Sequence, residues 1–220
     1  MKYSEAVRLL SESGIDEARH DAAMLFSHFS GIGRAELLLS DRDSDSDELS
    51  AAVMRRCRRE PLQYIIGEVD FYRERYKVTP DTLIPRPDTE ILVDLAVKKL
   101  PRGALFLDLC TGSGCVAVST LKNTDSTRAV ATDISEPALA VARHNANING
   151  ASDRIEFLAA DALKEAAPGD FFAVLSNPPY VTEEAYRDLE PEIYFGGRFF
   201  RALIQNRISP VLFHRIRRPG

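Results

Sequence analysis

Four consecutive residues, Asn177, Pro178, Pro179 and Tyr180, form the segment of the sequence with the clearest chemical meaning. Two prolines remove two backbone donors, so the carbonyl groups near Pro178 are free to accept hydrogen bonds from a substrate NH₂ group. The side-chain oxygen of Asn177 can accept the second N–H, and Tyr180 offers an aromatic face against which a flat group can lie. A plain turn after a strand is the alternative interpretation.

The chemistry that this segment favours is methyl transfer to a planar nitrogen. The lone pair of an amide or aromatic amine nitrogen is delocalised, so such a nitrogen is a poor nucleophile. Accepting both of its N–H bonds leaves electron density on the nitrogen and aims it at an electrophilic methyl group. The protein then contributes positioning and preorganised acceptors, and no covalent intermediate is needed.

A second motif, the glycine-containing segment from Asp108 to Gly114, lies between a predicted strand and a predicted helix. Gly112 and Gly114 let the backbone approach a ligand closely, and the helix N-terminus behind them favours an anionic group. Asp108 can meet a ligand ammonium group, and Asp133 ends the next predicted strand, where it can accept both ribose hydroxyls. An acid before the loop suits an amino-acid-bearing nucleoside better than a pyrophosphate. The sequence therefore predicts S-adenosyl-L-methionine as the cofactor, with NAD as the alternative.

Further polar and sulfur-bearing residues flank this predicted cofactor site. Asp161 follows the third predicted strand, where it can hydrogen-bond the adenine amino group, cap a helix over residues 162–166, or do both. Cys110 and Cys115 flank the loop and are interpreted as small packing residues rather than nucleophiles. The three cysteines have no C-x-x-C spacing, so we expect reduced thiols and no metal site.

Strand–helix alternation from residue 104 onward predicts an α/β domain with a mainly parallel sheet. The predicted strands cover residues 104–109, 128–133, 154–159 and 171–175, and the predicted helices between them cover 115–121 and 137–147. Ligand sites in such sheets lie at the carboxyl ends of the strands, so both motifs are expected at one edge of this sheet.

The chain before this sheet has a different pattern. Short amphipathic helices are predicted over residues 3–13, 16–29, 34–39 and 47–58, and a strand pair over 64–72 and 76–80 leads to a helix over 88–100. We therefore divide the chain into a helical docking domain (1–60), a hairpin linker (61–86), a methyltransferase domain (87–192) and a tail (193–220).

Composition and charge narrow the classes of function. The 220 residues have a net charge of −5, which gives no general reason to bind nucleic acid. No run of 18 apolar residues is present, and the first residues lack the apolar core of a signal peptide, so a cytoplasmic protein is expected. The tail, in contrast, holds six arginines and no acidic residue.

Taken together, these segments resemble the HemK/PrmC family, the glutamine-N5 methyltransferases that act on peptide chain release factors. The most specific parts are Pro61-Leu-Gln-Tyr-Ile-Ile-Gly67, Phe71 and Leu83-Ile-Pro-Arg-Pro-Asp-Thr-Glu90, and the resemblance runs through about residue 192. It implies a Rossmann-like class I methyltransferase domain, preceded by a small all-α domain that helps to dock the release factor. It implies a protein substrate, with no direct nucleic-acid or membrane partner, and we expect a monomer.

The resemblance also implies roles for individual residues. Asn177, Pro178, Pro179 and Tyr180 would hold the glutamine of a Gly-Gly-Gln motif. The expected cofactor-binding residues are Asp108, Cys110, Thr111, Gly112, Ser113, Gly114, Asp133, Asp161, Ala162 and Asn177.

Two departures from the family pattern stand out. Cys110 replaces a glycine found in many relatives, and the tail of residues 193–220 matches nothing in the family. No pair of strands is evident in the tail, so we expect the last sheet strands to be missing and one sheet edge to be exposed, unless the tail pairs with it. The alternative functions are N6-adenine methylation of DNA or RNA, glutamine methylation of a ribosomal protein, and an inactive binding remnant.

Overall fold

A computed structural model of the chain describes residues 1–39, 41–162, 164, 167, 169–178 and 212–215. The described residues divide into two compact units, one of residues 1–67 and the other beginning at residue 68. Each unit has a hydrophobic core of its own.

The first unit is all helical. Its core contains the fully buried side chains of Leu10, Leu25, Phe26 and Leu49. The side chain of Ser46 caps the fourth helix by accepting a hydrogen bond from the backbone N–H of a residue three positions later. The helices are α1 (Tyr3–Glu12), α2 (Ala18–Ser30), α3 (Arg34–Leu39), α4 (Asp47–Cys57) and α5 (Leu62–Ile66).

Helix α5 corrects the sequence-based prediction of a strand starting at residue 64. Leu62 and Ile65 are both buried in the core of the helical unit, at the three-residue spacing of one helix face. Gly67, with a φ of +85°, ends the helix in the left-handed conformation. The sequence of a short apolar run between proline and glycine is compatible with either a helix or a strand. Which of the two forms depends on the residues against which the run packs.

The second unit begins with an antiparallel hairpin of β1 (Glu68–Phe71) and β2 (Glu74–Lys77), joined by the two residues Tyr72 and Arg73. A 3₁₀ turn over Pro87–Thr89 then leads into α6 (Glu90–Lys99). Pro87 occupies the first position of this turn, where its missing N–H costs nothing.

The main sheet of the second unit has five strands in the order β5-β4-β3-β6-β7. Strands β3 to β6 are parallel, as predicted, and their boundaries differ from the predicted ones by two residues or fewer. The remaining elements are β3 (Leu105–Leu109), α7 (Cys115–Lys122), β4 (Arg128–Asp133), α8 (Glu136–Ile148), β5 (Ile155–Ala159), β6 (Ala173–Ser176) and β7 (Leu212–Arg215).

Alternate strand residues fall into two hydrophobic cores on opposite faces of this sheet. Phe106 belongs to the larger core, together with residues of α6 and α7 such as Leu92 and Leu121. Leu107, the next residue of β3, belongs to the smaller core with Val130. Burial on both faces explains why the strands read as nearly continuous apolar runs.

Strand β7 shows that part of the tail pairs with the sheet edge that was otherwise expected to be exposed. It pairs antiparallel with β6, with Leu212 opposite Ser176 and Arg215 opposite Ala173. A strand of four residues is too short to show an alternation of apolar and polar residues. Its hydrogen-bonding partner, β6, lies far away in the sequence. The other residues of the predicted tail lie outside the described part of the chain.

Within the described ranges, the longest helices have 13 residues, and none is long and apolar enough to cross a membrane.

Candidate active site

The carboxyl ends of three neighbouring strands bring together the polar residues that the sequence singled out. Asp108 lies in β3, Asp133 is the last residue of β4, and Asn177 directly follows β6. Strand β3 is paired with β4 on one side and with β6 on the other, so the ends of these strands lie side by side. This is the edge at which open parallel sheets bind ligands.

The loop between β3 and α7 has a backbone conformation that favours glycine. Gly112 and Gly114 have φ values of +55° and +79°, and Cys110 has a φ of +61°. A left-handed conformation costs a non-glycine residue about 1 kcal/mol, so the backbone at position 110 favours glycine over the cysteine present. The loop is tied to the sheet because the N–H of Thr111 donates to the carbonyl of Thr132 at 2.9 Å.

The two loop glycines serve different purposes. A Cβ added at Gly112 would meet nothing within 4 Å, so open space lies beside this residue. A Cβ added at Gly114 would lie 3.1 Å from the Cβ of Ala142 in α8. Gly112 therefore leaves room for a ligand, whereas Gly114 permits the close approach of helix α8.

Asp108 is buried beneath the start of α7. Its Oδ2 accepts hydrogen bonds from the hydroxyl of Thr111 at 2.6 Å and from the backbone N–H of Ala117 at 3.2 Å. Burial raises the pKa of Asp108 to about 7, against the lowering effect of these two bonds, and the charge of Asp133 raises it further. A cationic group beside Asp108 would favour the ionised carboxylate.

Asp133 holds the other side of the loop. Its Oδ2 accepts a hydrogen bond from the N–H of Gly112 at 2.9 Å, and its Oδ1 accepts one from the N–H of Ser135 at 3.0 Å. Burial raises the pKa of this carboxyl, while the backbone donors act in the opposite direction. Each carboxylate oxygen retains a further lone pair with which it can accept from a ligand hydroxyl.

The two cysteines of this region are poor nucleophiles in this environment. Burial raises the pKa of Cys110 and that of Cys115 to about 12, and nearby carboxylates add to the shift. The thiolate is therefore scarce near neutral pH. This supports their interpretation as small packing residues.

Asn145 of α8, which belongs to no motif recognised in the sequence, fixes the end of the loop. It is fully buried, and its Nδ2 donates to the carbonyl of Ser113 at 2.8 Å. The same side chain exchanges two hydrogen bonds with Lys77 of β2: the Lys77 N–H donates to Oδ1 at 2.7 Å, and Nδ2 donates to the Lys77 carbonyl at 2.9 Å. One amide thus joins the hairpin, α8 and the loop.

Asp161 and Ala162 follow β5 at the same edge of the sheet, and both are half-buried. The Asp161 carboxylate forms an ion pair with Lys164 at 2.9 Å, and its carbonyl accepts a hydrogen bond from the Lys164 N–H. The contact with adenine stays a prediction. The predicted helix over residues 162–166 lies partly outside the described residues.

Of the four residues predicted to hold the substrate, the structure describes Asn177 and Pro178. The Nδ2 of Asn177 donates to the hydroxyl of Thr89 at 3.0 Å, and Pro178 behind it is buried. The neighbouring Ser176 hydroxyl donates to the carbonyl of Leu109 at 2.7 Å, which joins the ends of β6 and β3. Pro179 and Tyr180 lie outside the described residues, so their roles stay predictions.

Comparisons with known proteins identify the family of this chain. Residues 3–67 match the PrmC N-terminal domain, and residues 87–192 match the methyltransferase small domain. A release factor glutamine methyltransferase of Chlorobaculum tepidum is 38% identical, covering 85% of this chain and 69% of the relative. One of Cereibacter sphaeroides is 40% identical, covering 86% of this chain and 68% of the relative. The chain belongs to the release factor glutamine methyltransferase family.

Membership of the release factor glutamine methyltransferase family confirms the predicted resemblance and the predicted Rossmann-like α/β fold class. The chain spans 64% to 69% of the length of four such relatives. A solved SAM-dependent methyltransferase of Geobacter sulfurreducens, in complex with S-adenosyl-L-homocysteine, is 25% identical with a TM-score of 0.36. The matched region covers 40% of this chain and 35% of the solved protein, and a likeness at this TM-score gives no information about the site.

Proposed function

We propose that this chain transfers a methyl group from S-adenosylmethionine to the side-chain amide nitrogen, N5, of the glutamine in the Gly-Gly-Gln motif of peptide chain release factors. The observation that carries the proposal is the position of Asn177 at the end of β6, beside the loop that Asp108 and Asp133 enclose. Methyl transfer to an amide needs an acceptor for the substrate next to a site for a cationic nucleoside, and this arrangement supports both roles.

The residues at the loop fit the cofactor chemically. Open space lies beside Gly112, where the loop backbone can approach a ligand. Asp108 is a buried carboxylate suited to an ammonium group, and Asp133 offers the lone pairs that ribose hydroxyls need. When bound, S-adenosylmethionine supplies an electrophilic methyl group.

The protein's own contribution is to hold the substrate amide. The Oδ1 of Asn177 accepts one N–H of the glutamine, and a backbone carbonyl near Pro178 accepts the other. These acceptors keep electron density on the nitrogen and fix the direction of its lone pair. Because the acceptors are held by the fold before the substrate binds, little reorganisation is needed during the reaction.

The release factor as partner also gives the first unit a role. We infer that residues 1–67, which match the PrmC N-terminal domain, serve as the docking module for the release factor. The chain then acts as a monomer in the cytoplasm, where translation takes place, and has no need of nucleic acid or membrane. The net charge of −5 agrees with a protein substrate better than with DNA or RNA.

The decisive experiment is methyl transfer from labelled S-adenosylmethionine to purified release factor, with the modified residue located by mass spectrometry. We expect methylation of the Gly-Gly-Gln glutamine and none of DNA, RNA or ribosomal protein. Asn177→Ala should bind cofactor nearly normally and lose at least about 10²-fold in turnover. Labelling of DNA in place of the release factor, or normal turnover by Asn177→Ala, would refute the proposal.

A further inference from the structure

Thr89 is the hydrogen-bonding partner of the substrate-binding asparagine. Its Oγ1 lies 3.0 Å from the Nδ2 of Asn177, and Thr89 is only 4% exposed. The two residues are 88 positions apart in the sequence. Thr89 belongs to the segment Leu83–Glu90, whose role in the site the proposed function leaves open.

The side chain of Thr89 has no role in capping helix α6. Thr89 is the last residue of the 3₁₀ turn Pro87–Thr89 and leads directly into α6, so its hydroxyl is not needed to cap the start of a helix. Here Thr89 has a right-handed helical conformation, and its side chain makes no capping hydrogen bond. The hydroxyl is instead directed to the amide of Asn177.

In this structure the Nδ2 end of the Asn177 amide faces Thr89, and the Oδ1 end faces away from it. With Nδ2 donating to Thr89, Oδ1 is on the other branch of the planar amide and can accept from a substrate. A rotation of 180° would exchange the two ends and present an NH₂ group to the NH₂ group of the substrate. Two donors cannot bond to each other, so that rotamer is unproductive.

Thr89 is itself held firmly. The next residue, Glu90, accepts a hydrogen bond from the N–H of Tyr72 at 2.7 Å, and the Tyr72 hydroxyl donates to Asp94 of α6 at 2.9 Å. Leu92 and Val93 of the same helix are fully buried. The start of α6 is therefore held between the hairpin and the core. The Thr89 hydroxyl next to it consequently has a fixed position from which it can hold Asn177.

We propose that Thr89 is a positioning residue: its hydroxyl anchors the side chain of Asn177, in an orientation that leaves the amide oxygen free to accept the N–H of the substrate glutamine. The catalytic part of this inference rests on the proposed function. The orienting part concerns only the two side chains. The segment Leu83–Glu90 then contributes to catalysis by setting the direction of an acceptor 88 residues further along the chain.

Thr89→Val removes the hydroxyl at nearly constant shape, and Thr89→Ser retains it. Thr120→Val is the matched control, because the Thr120 hydroxyl is buried and has no hydrogen-bond partner among the described residues. Each full-length variant is assayed for kcat and KM with release factor. Each is also studied by NMR of the side-chain NH₂ signals of its six asparagines. The Asn177 pair is assigned by its disappearance in Asn177→Asp.

For Thr89→Val we expect a fall in kcat of about 10- to 100-fold with little change in KM, and a clear shift of the Asn177 NH₂ signals. Thr89→Ser should restore kcat to within about threefold, and Thr120→Val should behave as wild type. A Thr89→Val protein with normal kcat, or with unchanged Asn177 signals, would overturn the inference. If the wild type methylates no release factor, the proposed function fails, and the NMR signals alone then decide whether Thr89 orients Asn177.

Discussion

The backbone N–H of Gly112 donates a hydrogen bond of 2.9 Å to the Oδ2 of Asp133, so one carboxylate both shapes the loop and faces the predicted ribose site. Loss of this carboxylate removes a loop contact and a ligand acceptor at the same time. The position of Asp133 is therefore a sensitive test of the cofactor site.

Asp133→Ala should weaken the binding of S-adenosylmethionine by about 2–4 kcal/mol, because a buried charged acceptor is lost. Isothermal titration calorimetry measures the change, with the exposed Asp125→Ala as the control. Unchanged affinity in Asp133→Ala would remove this residue from the site, and tighter binding of NAD than of S-adenosylmethionine would change the cofactor.

Asp108 should make the stability of the cofactor-free protein depend on pH. Burial raises its folded-state pKa from 3.8 to about 7, so the folded protein binds a proton that the unfolded chain releases. The stabilisation is fully present below about pH 4 and is lost as the pH rises through about 7. The melting temperature of the wild type should therefore fall relative to that of Asp108→Asn between about pH 4 and pH 7. Parallel curves for the two proteins would contradict the raised pKa.

Asn145→Ala should destabilise the protein by roughly 2–4 kcal/mol, since it leaves the N–H and carbonyl of Lys77 and the carbonyl of Ser113 without their partner. Urea unfolding gives the loss, and the exposed Asn147→Ala on the same helix should change stability by less than about 0.5 kcal/mol. Equal effects of the two substitutions would show that the buried amide has no special role.

Deletion of residues 1–67 should spare cofactor binding and abolish efficient methylation of intact release factor. The helical unit has its own core, and the loop between β3 and α7, where the cofactor is predicted to bind, belongs to the second unit. The measurement is kcat/KM for the full and shortened chains, with calorimetry of cofactor binding as the control. The same kcat/KM for both chains would refute the docking role.

Deletion of residues 193–220 should lower the melting temperature by roughly 5–10 °C and promote aggregation, because β6 would become an unprotected sheet edge. A full-length chain with Arg217→Ser and Arg218→Ser keeps β7 and tests whether charge alone matters. If the chain without residues 193–220 is as stable and as monomeric as the full-length chain, β7 contributes nothing to stability or to protection against aggregation.

The sequence predicted the elements whose signals are local. Strand β4 was predicted at its observed boundaries, Arg128–Asp133, because a buried apolar run ends there in an acid. The loop glycines and Asp133 were recognisable from their spacing. Residues 64–66 were misread as a strand, since their helical form depends on packing within the helical unit.

The parts that the sequence could not supply depend on contacts between distant residues. Asn145 lies 68 positions from Lys77, and Thr89 lies 88 positions from Asn177. A buried asparagine in a helix and a threonine at a helix start both have ordinary local explanations. Only the fold shows that their polar groups serve the loop and the substrate motif.

The close packing of Gly114 against Ala142 has a consequence for how this chain can vary. Ala142 and Asn145 are three residues apart and therefore lie on one face of α8. A larger side chain at position 142 would push α8 away from the loop and draw the Asn145 amide away from the Ser113 carbonyl. The room for substitution at Ala142 is therefore limited by the cofactor loop as much as by the surrounding core. A change to valine there would therefore be opposed both by the loss of stability and by the disturbance of the loop that binds the ligand.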